Sequence, residues 1–474
     1  MNRYQVDLPQ GMRDRALGCA VGMAVGNALG SGYAFSVPPQ RDEIRMRAGD
    51  LGPYKAGEWA DDTAMAIPIL TALAAGKNLL DPATQDEVVG QWVRWAAQAK
   101  DVAPIISTVL ESYDAATGAE SVRAAALTFQ AAGKPSAAGN ASLMRTTPIT
   151  LGFLHDPGAL AQAALTYSGL THANPEAGEA CVLWNLAVRT AILTGGFDLV
   201  GGLTWIPEDR RDWWENLITR AEIGSPRDFA IGNGRVSQLV QTIWSAVIDG
   251  DQGYEQTLRT VIAAGGDTAT SGAVAGGILG ARWGMSAIPL QWRRRINGWP
   301  GIRDAQLTHL VYEALTAQPW PDVFEEDPMT MSAVQHPCDP GVWLGGIAGL
   351  RPLPAEVDAV VSLTPLGAGQ KPVPPVADEN QISVWLLDSE DPADNPNLEF
   401  VAEQTVDLLS SLRSKGHNVY LHCVDGGSRT AFISALYGAR IEDVPATRVW
   451  PQIQQVLPHA RLNTLFERVL RSYG

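Results

Sequence analysis

The sequence predicts a multi-domain chain: an all-α helical bundle over residues 1–317, a linker over 318–335, and a small α/β domain with a central sheet over 336–474. Three observations predict it. Before residue 315 the apolar residues recur at helical spacing and strand-like runs are nearly absent. Around Pro319, Pro321, Glu325, Glu326, Asp327 and Pro328 the composition shifts to prolines and acids, as at a domain boundary. Beyond it come short apolar runs of strand length: Val342–Leu344, Ala359–Leu363, Ile382–Leu387 and Val419–His422.

Taken in order, residues 12–36 read as a small-residue helix followed by a Gly-containing turn. Gly18, Gly22, Gly26 and Gly30 share one face of that helix. Glycine weakens a helix, so the stripe predicts close packing against another element rather than a phosphate loop. An Ala/Ile/Leu-rich helix begins near Asp61 and runs to Ala74, and Val88–Ala97 is another helix. Gly139–Arg145 reads as a turn leading to Pro148. Thr171 is placed to cap a helix from Pro175, with Ala177, Cys181, Trp184 and Ala187 inward. Residues 202–233, with Trp205, Trp213 and Trp214 among charges, read as a helix and surface loops. Leu239–Ile248 and Ala273–Trp283 are further helices. In the second domain Leu398–Ser414 has a helical period between two strands, and Val449–Tyr473 reads as helices.

The 474 residues suffice for two or three domains with cores of their own. Hydrophobic residues make up 46% and charged residues 18%, an ordinary globular balance. A net charge of −16 argues against general nucleic-acid or acidic-membrane binding. Cys19, Cys181, Cys338 and Cys423 include no CxxC pair, which disfavours a zinc site or a disulfide framework. The polar Met1–Arg15 stretch lacks a signal-peptide core, and no uncharged apolar run reaches the ~18 residues that span a bilayer. The expectation is a cytoplasmic protein without membrane partners.

Two helix starts stand out. Gly57–Ala66 places Asp61 and Asp62 side by side, with Thr63 next, against an apolar run. Adjacent acids repel, so a buried pair needs a cation or substrate to offset it, and carboxylate and hydroxyl oxygens suit hard divalent ions. The alternative is helix capping and dipole compensation. Gly265–Gly272 carries Asp267, Thr268 and Thr270 at the start of a second small-residue helix.

With Leu17–Gly30, Trp59–Thr63, Gly139–Arg145, Thr171–Ala177 and Gly266–Thr270 in that order, residues 10–315 resemble the ADP-ribosylglycohydrolase family. The resemblance implies two magnesium ions, with Asp61, Asp62, Asp267 and Thr270 as ligands and Asp62 also catalytic. It implies cleavage at the anomeric carbon of an ADP-ribosylated protein or of a small molecule containing ADP-ribose. Asn140, Ser142 and His172 would bind substrate, and Arg145 would stand beside them; read from the residues alone, the first two and Arg145 could equally form a turn, and His172 could be a hydrogen-bonded helix-start residue. The chain departs from the family pattern at Ala60, where Thr or Ser is usual, and at Ala269, where a metal-binding Asp is expected. It departs again at Asn27, which replaces an Asp, and at Ala34-Phe35, where a Glu is often found. The losses leave open a one-metal enzyme, a module that binds ADP-ribose without hydrolysis, and an inactivated variant.

The run His422–Thr430 follows a strand and precedes a helix. Val424, Asp425, Gly426, Gly427, Ser428, Arg429 and Thr430 can curl so that amides, the helix end and the guanidinium surround one phosphate. The same field favours the Cys423 thiolate as a nucleophile. Asp425 is unexpected in such a loop and should discourage a dianion unless it points outward. Thr430 could donate to the sulfur, and His422 could orient the loop. Residues 336–470 resemble the dual-specificity and tyrosine phosphatases. The resemblance implies a phosphorylated substrate, Cys423 as nucleophile, Arg429 on the phosphoryl oxygens, and Asp388 as general acid, with Asp391 and Asp394 as alternatives. The combined expectation is a bifunctional hydrolase. The alternatives are a non-hydrolytic ADP-ribose-binding module beside an active phosphatase, and two domains acting on one phosphorylated ADP-ribose compound.

Overall fold

The computed structural model describes residues 8–49, 52–248, 252–324 and 333–473. These fall into two compact units. The first holds residues 8, 12–288 and 295–319; the second holds 9–11, 289–294 and 320–473.

The first unit is built from helices α1 (Gln10–Gly30), α2 (Asp61–Ala74), α3 (Pro82–Ala96), α4 (Pro104–Leu110), α5 (Ala119–Ala131), α6 (Pro157–Gly169), α7 (Pro175–Thr194), α8 (Glu208–Ile223), α9 (Pro226–Ala230), α10 (Val236–Ile248), α11 (Gly253–Ala264) and α12 (Thr268–Trp283). Helix α14 (Asp304–Thr316) closes it, after the short α13 (Leu290–Arg293), which belongs to the second unit. A two-residue antiparallel ladder pairs β1 (Asn297–Gly298) with β2 (Ile302–Arg303). Helices α1, α2, α7 and α12 are buried along most of their length, so their sequences read apolar or small all round instead of striped.

The glycine stripe of α1 explains the centre of this unit. It lies against a matching stripe on α12. A Cβ on Gly26 would stand 1.9 Å from the Gly272 carbonyl oxygen, and one on Gly276 would stand 2.2 Å from the Gly22 oxygen. Backbone meets backbone, so only glycine fits. Thr268 Oγ1 donates to the Gly30 carbonyl at 2.7 Å, pinning the C-terminus of α1 to the N-terminus of α12.

The second unit carries a five-stranded sheet of order β3 (Val334–His336), β4 (Asp339–Gly345), β7 (Val419–His422), β5 (Ala359–Ser362), β6 (Gln381–Ser383). Strand β3 is antiparallel to β4, and the other pairs are parallel. The central strand β7 is buried at every residue, as expected for a parallel strand covered on both faces. Helices α15 (Leu398–Ser414), α16 (Arg429–Glu442), α17 (Ala446–Val456) and α18 (Thr464–Ser472) complete the unit.

Several expectations are corrected here. The stretch 318–335 is not a free linker where it is described. Trp320 donates through Nε1 to the Leu366 carbonyl at 3.0 Å, and the rings of Trp320 and Phe324 pack on Trp385. Val334 and Gln335 pair with β4. Glu325, Glu326, Asp327 and Pro328 lie outside the described residues. Within the expected first domain, Leu290 is buried in the apolar core shared with Leu398 and Val401. Asn174, not Thr171, caps α7, its Oδ1 accepting the Glu176 N–H at 2.9 Å. Asn140–Arg145 is 3-10 helix. The expected strand Ile382–Leu387 leaves the sheet after Ser383, because the Asn395 side chain takes both the N–H and the carbonyl of Leu387. No helix among the described residues is long and apolar enough to cross a membrane.

Candidate functional site

The α1–α12 crossing brings the N-termini of α2 and α12 to Asn27. Ala60 occupies the N-cap of α2 and offers no side-chain acceptor. Asn27 supplies it from α1: its Oδ1 accepts the N–H groups of Ala60 at 2.9 Å and Thr63 at 3.3 Å, and the Thr63 hydroxyl at 3.0 Å. Its Nδ2 donates to Asp62 Oδ2 at 2.6 Å and reaches the Ala269 carbonyl at 3.5 Å. One amide therefore caps α2, orients Asp62 and touches α12. Thr63 turns to Asn27, not to a ligand.

Asp267 is the N-cap of α12, and its Oδ1 accepts the Thr270 N–H at 3.2 Å. Its other oxygen accepts from Asn140 Nδ2 at 2.7 Å, and its own N–H donates to Asn233 Oδ1 at 2.8 Å. Asn140 also donates to the Asn233 carbonyl at 3.0 Å. Asn140 and Asn233 thus fix one acid, as Asn27 fixes another.

The three acids are raised above the ordinary carboxylate range. Burial is the first cause for each. For Asp62 the charges of Asp61 and then Asp267 add to it; for Asp61 those of Asp267 and then Asp101. The Thr270 hydroxyl lies by both Asp62 and Asp267 and partly opposes the rise. Asp62 Oδ1 is buried without a hydrogen-bond partner. An orphaned carboxylate oxygen, repelled by two further acids and beside a hydroxyl, is a donor set suited to a hard divalent cation. Ala269 contributes no side-chain donor. Among the described residues no group of three or more His, Cys, Asp or Glu side chains is gathered closely enough to share one ion. Asp61, Asp62 and Thr270 are the side chains that could hold such a cation.

Beneath the acids lies a buried cation. Arg145 donates to the carbonyls of Ala141 at 2.8 Å and Tyr167 at 3.2 Å and to Thr171 Oγ1 at 2.6 Å, with its guanidinium over Trp92. Burial lowers its pKa to about 10; the charges of Cys181 and Asp61 work against that. Because Arg145 only donates, Thr171 uses its own proton toward His172 Nδ1, 2.8 Å away. That assigns the proton of His172 to Nε2, which is buried and has no hydrogen-bond partner. Burial, and then Arg145, lower the His172 pKa to about 3, so it is a neutral N–H donor. Ser142 does not join this group; it is fully buried with its hydroxyl 3.6 Å from Cys181 Sγ. Asn27 and Asn233 were not among the predicted site residues. Asn27 carried a signal, standing where the family pattern has an acid.

In the second unit Cys423 follows β7 at the carboxyl ends of the parallel strands, the usual ligand side of such a sheet. Cys423 and Arg429 are buried. His422 Nδ1 lies 3.0 Å from the Cys423 carbonyl, which must accept; Nε2 then accepts from Ser362 Oγ at 2.7 Å. Burial lowers the His422 pKa to about 4, with Arg429 also lowering it, so the imidazole is a neutral loop anchor. Gly426 has φ +78°, and a Cβ there would stand 2.7 Å from the Gly345 backbone. Arg429 Nη1 donates to the Leu386 carbonyl at 3.1 Å. The Thr430 hydroxyl donates to the Gly345 carbonyl at 3.3 Å, not to the sulfur. Asp425 points inward: its Oδ1 accepts the Gly427 N–H at 2.9 Å and stands 3.7 Å from Cys423 Sγ.

The acid loop is sorted by its hydrogen bonds. Asp388 Oδ1 accepts from Ser428 Oγ and from Asn463 Nδ2, both at 2.9 Å. Asp391 caps a local turn through Ala393 N–H, and Asp394 accepts from Ser389. Of these acids, Asp388 is the one bonded to the Cys423 loop; Val424 and Gly427 hold that loop through their carbonyls, which accept from Ile347 and Arg461.

Comparison with known proteins bears on the first unit. A sequence profile of the ADP-ribosylglycohydrolase family matches residues 8–321. The ADP-ribosylarginine hydrolase Tri1 of Pseudomonas putida (strain GB-1) is 27% identical over 297 residues, covering 61% of this chain and 76% of the relative. The ADP-ribosyl-[dinitrogen reductase] glycohydrolase of Rhodospirillum rubrum is 26% identical over 297 residues, covering 60% and 91%. For the second unit, the solved structure of human DUSP28 overlaps 31% of this chain and 95% of its own, at 20% identity and a TM-score of 0.26, too slight an overlap to build on.

Proposed function

The chain belongs to the ADP-ribosylglycohydrolase family over residues 8–321, and from that premise we propose that this region hydrolyses the bond between ADP-ribose and an arginine side chain of a modified protein. The observation that carries the chemistry is Asp62: a fully buried carboxylate, oriented by Asn27, with one oxygen unpartnered beside Asp61 and Thr270. Asp61, Asp62 and Thr270 would hold magnesium, with Asp267 adding charge next to them. Bound there, a divalent ion supplies Lewis-acid polarisation and orientation of a ribose diol. The chain's own residues do the rest. As the C–N bond breaks, the arginine leaves as a neutral guanidine, and the fixed carboxylates stabilise the oxocarbenium-like charge on the anomeric carbon; water adds to that carbon, and its proton passes to the departed guanidine. His172 offers its Nε2–H to a substrate oxygen and, being neutral, takes no proton. Asn140 and Asn233 hold Asp267 so that no reorganisation is needed.

The test is release of ADP-ribose from an ADP-ribosyl-arginine peptide, with magnesium and with EDTA, run beside Ala269→Asp. Magnesium-dependent release by the natural sequence supports hydrolysis. Binding of ADP-ribose without release, restored by Ala269→Asp, would make the region a binding module instead.

For the second unit the reading is phosphate-ester hydrolysis, supported by the bond between Asp388 and Ser428 of the cysteine loop. Cys423 Sγ attacks phosphorus, Arg429 binds the non-bridging oxygens, and Asp388 gives its proton to the leaving oxygen. Water then attacks the phosphocysteine, losing its proton to Asp388, and phosphate departs. Cys423→Ser should abolish turnover of p-nitrophenyl phosphate; unchanged turnover would sink the cysteine assignment.

A further inference from the structure

The Cys423 loop already contains an anion. The Asp425 carboxylate takes the Gly427 N–H at 2.9 Å and faces Cys423 Sγ at 3.7 Å. A phosphoryl group in line with that sulfur would need loop amides of this kind for its oxygens. Carboxylate and phosphate cannot share one N–H, and at this separation their charges repel.

The backbone around Asp425 is fixed. Ile347 N–H donates to the Val424 carbonyl at 2.8 Å, and Arg461 N–H to the Gly427 carbonyl at 3.0 Å. His459 Nε2 lies 3.3 Å from the Asp425 carbonyl. Gly426 is pressed against Gly345 in a conformation that favours glycine. What can move is the Asp425 side chain, which is partly exposed.

We propose that Asp425 is a built-in occupant of one phosphoryl-oxygen position, which a substrate must displace, so that the loop discriminates against free phosphate and small aryl phosphates. It selects phosphate monoesters whose non-reacting part makes contacts of its own, because that binding energy offsets the displacement. The inference rests on reading residues 336–473 as a phosphatase.

The test uses the full chain, Asp425→Ala and Asp425→Asn, with thermal melts to confirm folding. Inorganic phosphate and tungstate binding are measured by calorimetry, and p-nitrophenyl phosphate turnover is measured in parallel. Asp425→Ala should tighten both anions by about 10-fold or more, the scale of removing one nearby like charge, and raise kcat/KM on the aryl ester. Asp425→Asn, which keeps the shape and an acceptor but not the charge, should fall between. Equal or weaker anion binding by the folded variants overturns the proposal while leaving the phosphatase reading intact. Absence of both turnover and anion binding in all three proteins overturns the phosphatase reading, and this inference with it.

Discussion

Single side chains carry opposite burdens in the two sites. In the first, the burden is repulsion. Asp61, Asp62 and Asp267 have folded-state pKa values raised first by burial and then, for Asp61 and Asp62, by neighbouring acids. A raised carboxylate pKa means that stability is fully present below the unfolded value, near 4, and is lost as pH rises through the folded value. Without metal, the first unit should therefore melt lower at pH 8 than at pH 5, and magnesium should restore the loss at the alkaline end. Asp62→Asn should raise the metal-free melting temperature, by about 2–4 °C for each kcal/mol of repulsion removed, and should abolish the magnesium shift. Scanning calorimetry at two pH values, with and without magnesium, checks both signs; a metal-free protein that gains stability with pH would refute the account. In the second site the burden is placement. Asn463 caps α18 through Phe466 N–H and donates to Asp388. Asn463→Ala should lower kcat on an alkyl phosphate, whose leaving oxygen needs a proton, by about 10-fold, within the range general acids contribute. It should leave p-nitrophenyl phosphate, a good leaving group, nearly unchanged. Equal losses on both esters would show a merely structural residue.

At the scale of elements, the site is made by a crossing of two helices, and that crossing is written in glycine. Gly26→Ala would drive its Cβ against the Gly272 carbonyl, backbone that cannot rotate aside. Overpacking of this kind costs about 1–3 kcal/mol or more. Thermal melting should show a clear drop, and ADP-ribose release should fall with it, because α1 carries Asn27 and α12 carries Asp267. An unchanged melt would mean that the helices are not in close contact. The i, i+4 repeat of Gly18, Gly22, Gly26 and Gly30 made this packing legible in the sequence, though not its partner, since the matching Gly272, Gly276 and Gly280 lie far along the chain. The acidic helix starts were legible for the same local reason. Asn27 and Asn233 were not read as site residues, because their roles depend on long-range approach: an amide shows nothing in sequence of which carboxylate it will hold. Ser142 lies on the same 3-10 turn as Asn140 and Arg145 but faces Cys181, a direction set by the turn and not readable from the motif. Trp320 and Phe324 were lost in a segment judged by its prolines and acids, although three-ring contact with Trp385 decides their place. Strand β6 was drawn too long because apolar side chains run on from Val384 to Leu387, although the ladder ends at Ser383 and Asn395 takes the backbone of Leu387.

At the scale of the whole molecule, the question is whether the two sites act as one. The residues oriented around Asp62 come from α1, α2, α12 and the 3-10 turn at Asn140. Those around Cys423 come from β7, α16, the Asp388 loop and Asn463. No residue is common to both, and each set is oriented by hydrogen bonds within its own unit. Two sites that share no group should fail independently. Cys423→Ser should leave magnesium-dependent release of ADP-ribose within about 2-fold of the natural chain, and Asp62→Asn should leave aryl phosphate turnover equally intact, as expected for changes at sites with no shared partner. A joint role predicts something else. If one phosphorylated ADP-ribosyl compound meets both sites in turn, each single variant should accumulate a different partly processed product, while the simple substrates still show independence. Supplying such a compound to the natural chain and to both variants, and separating products by mass, decides between these. Identical product patterns from the two variants would exclude a shared substrate and leave two hydrolytic centres that answer to different modified molecules.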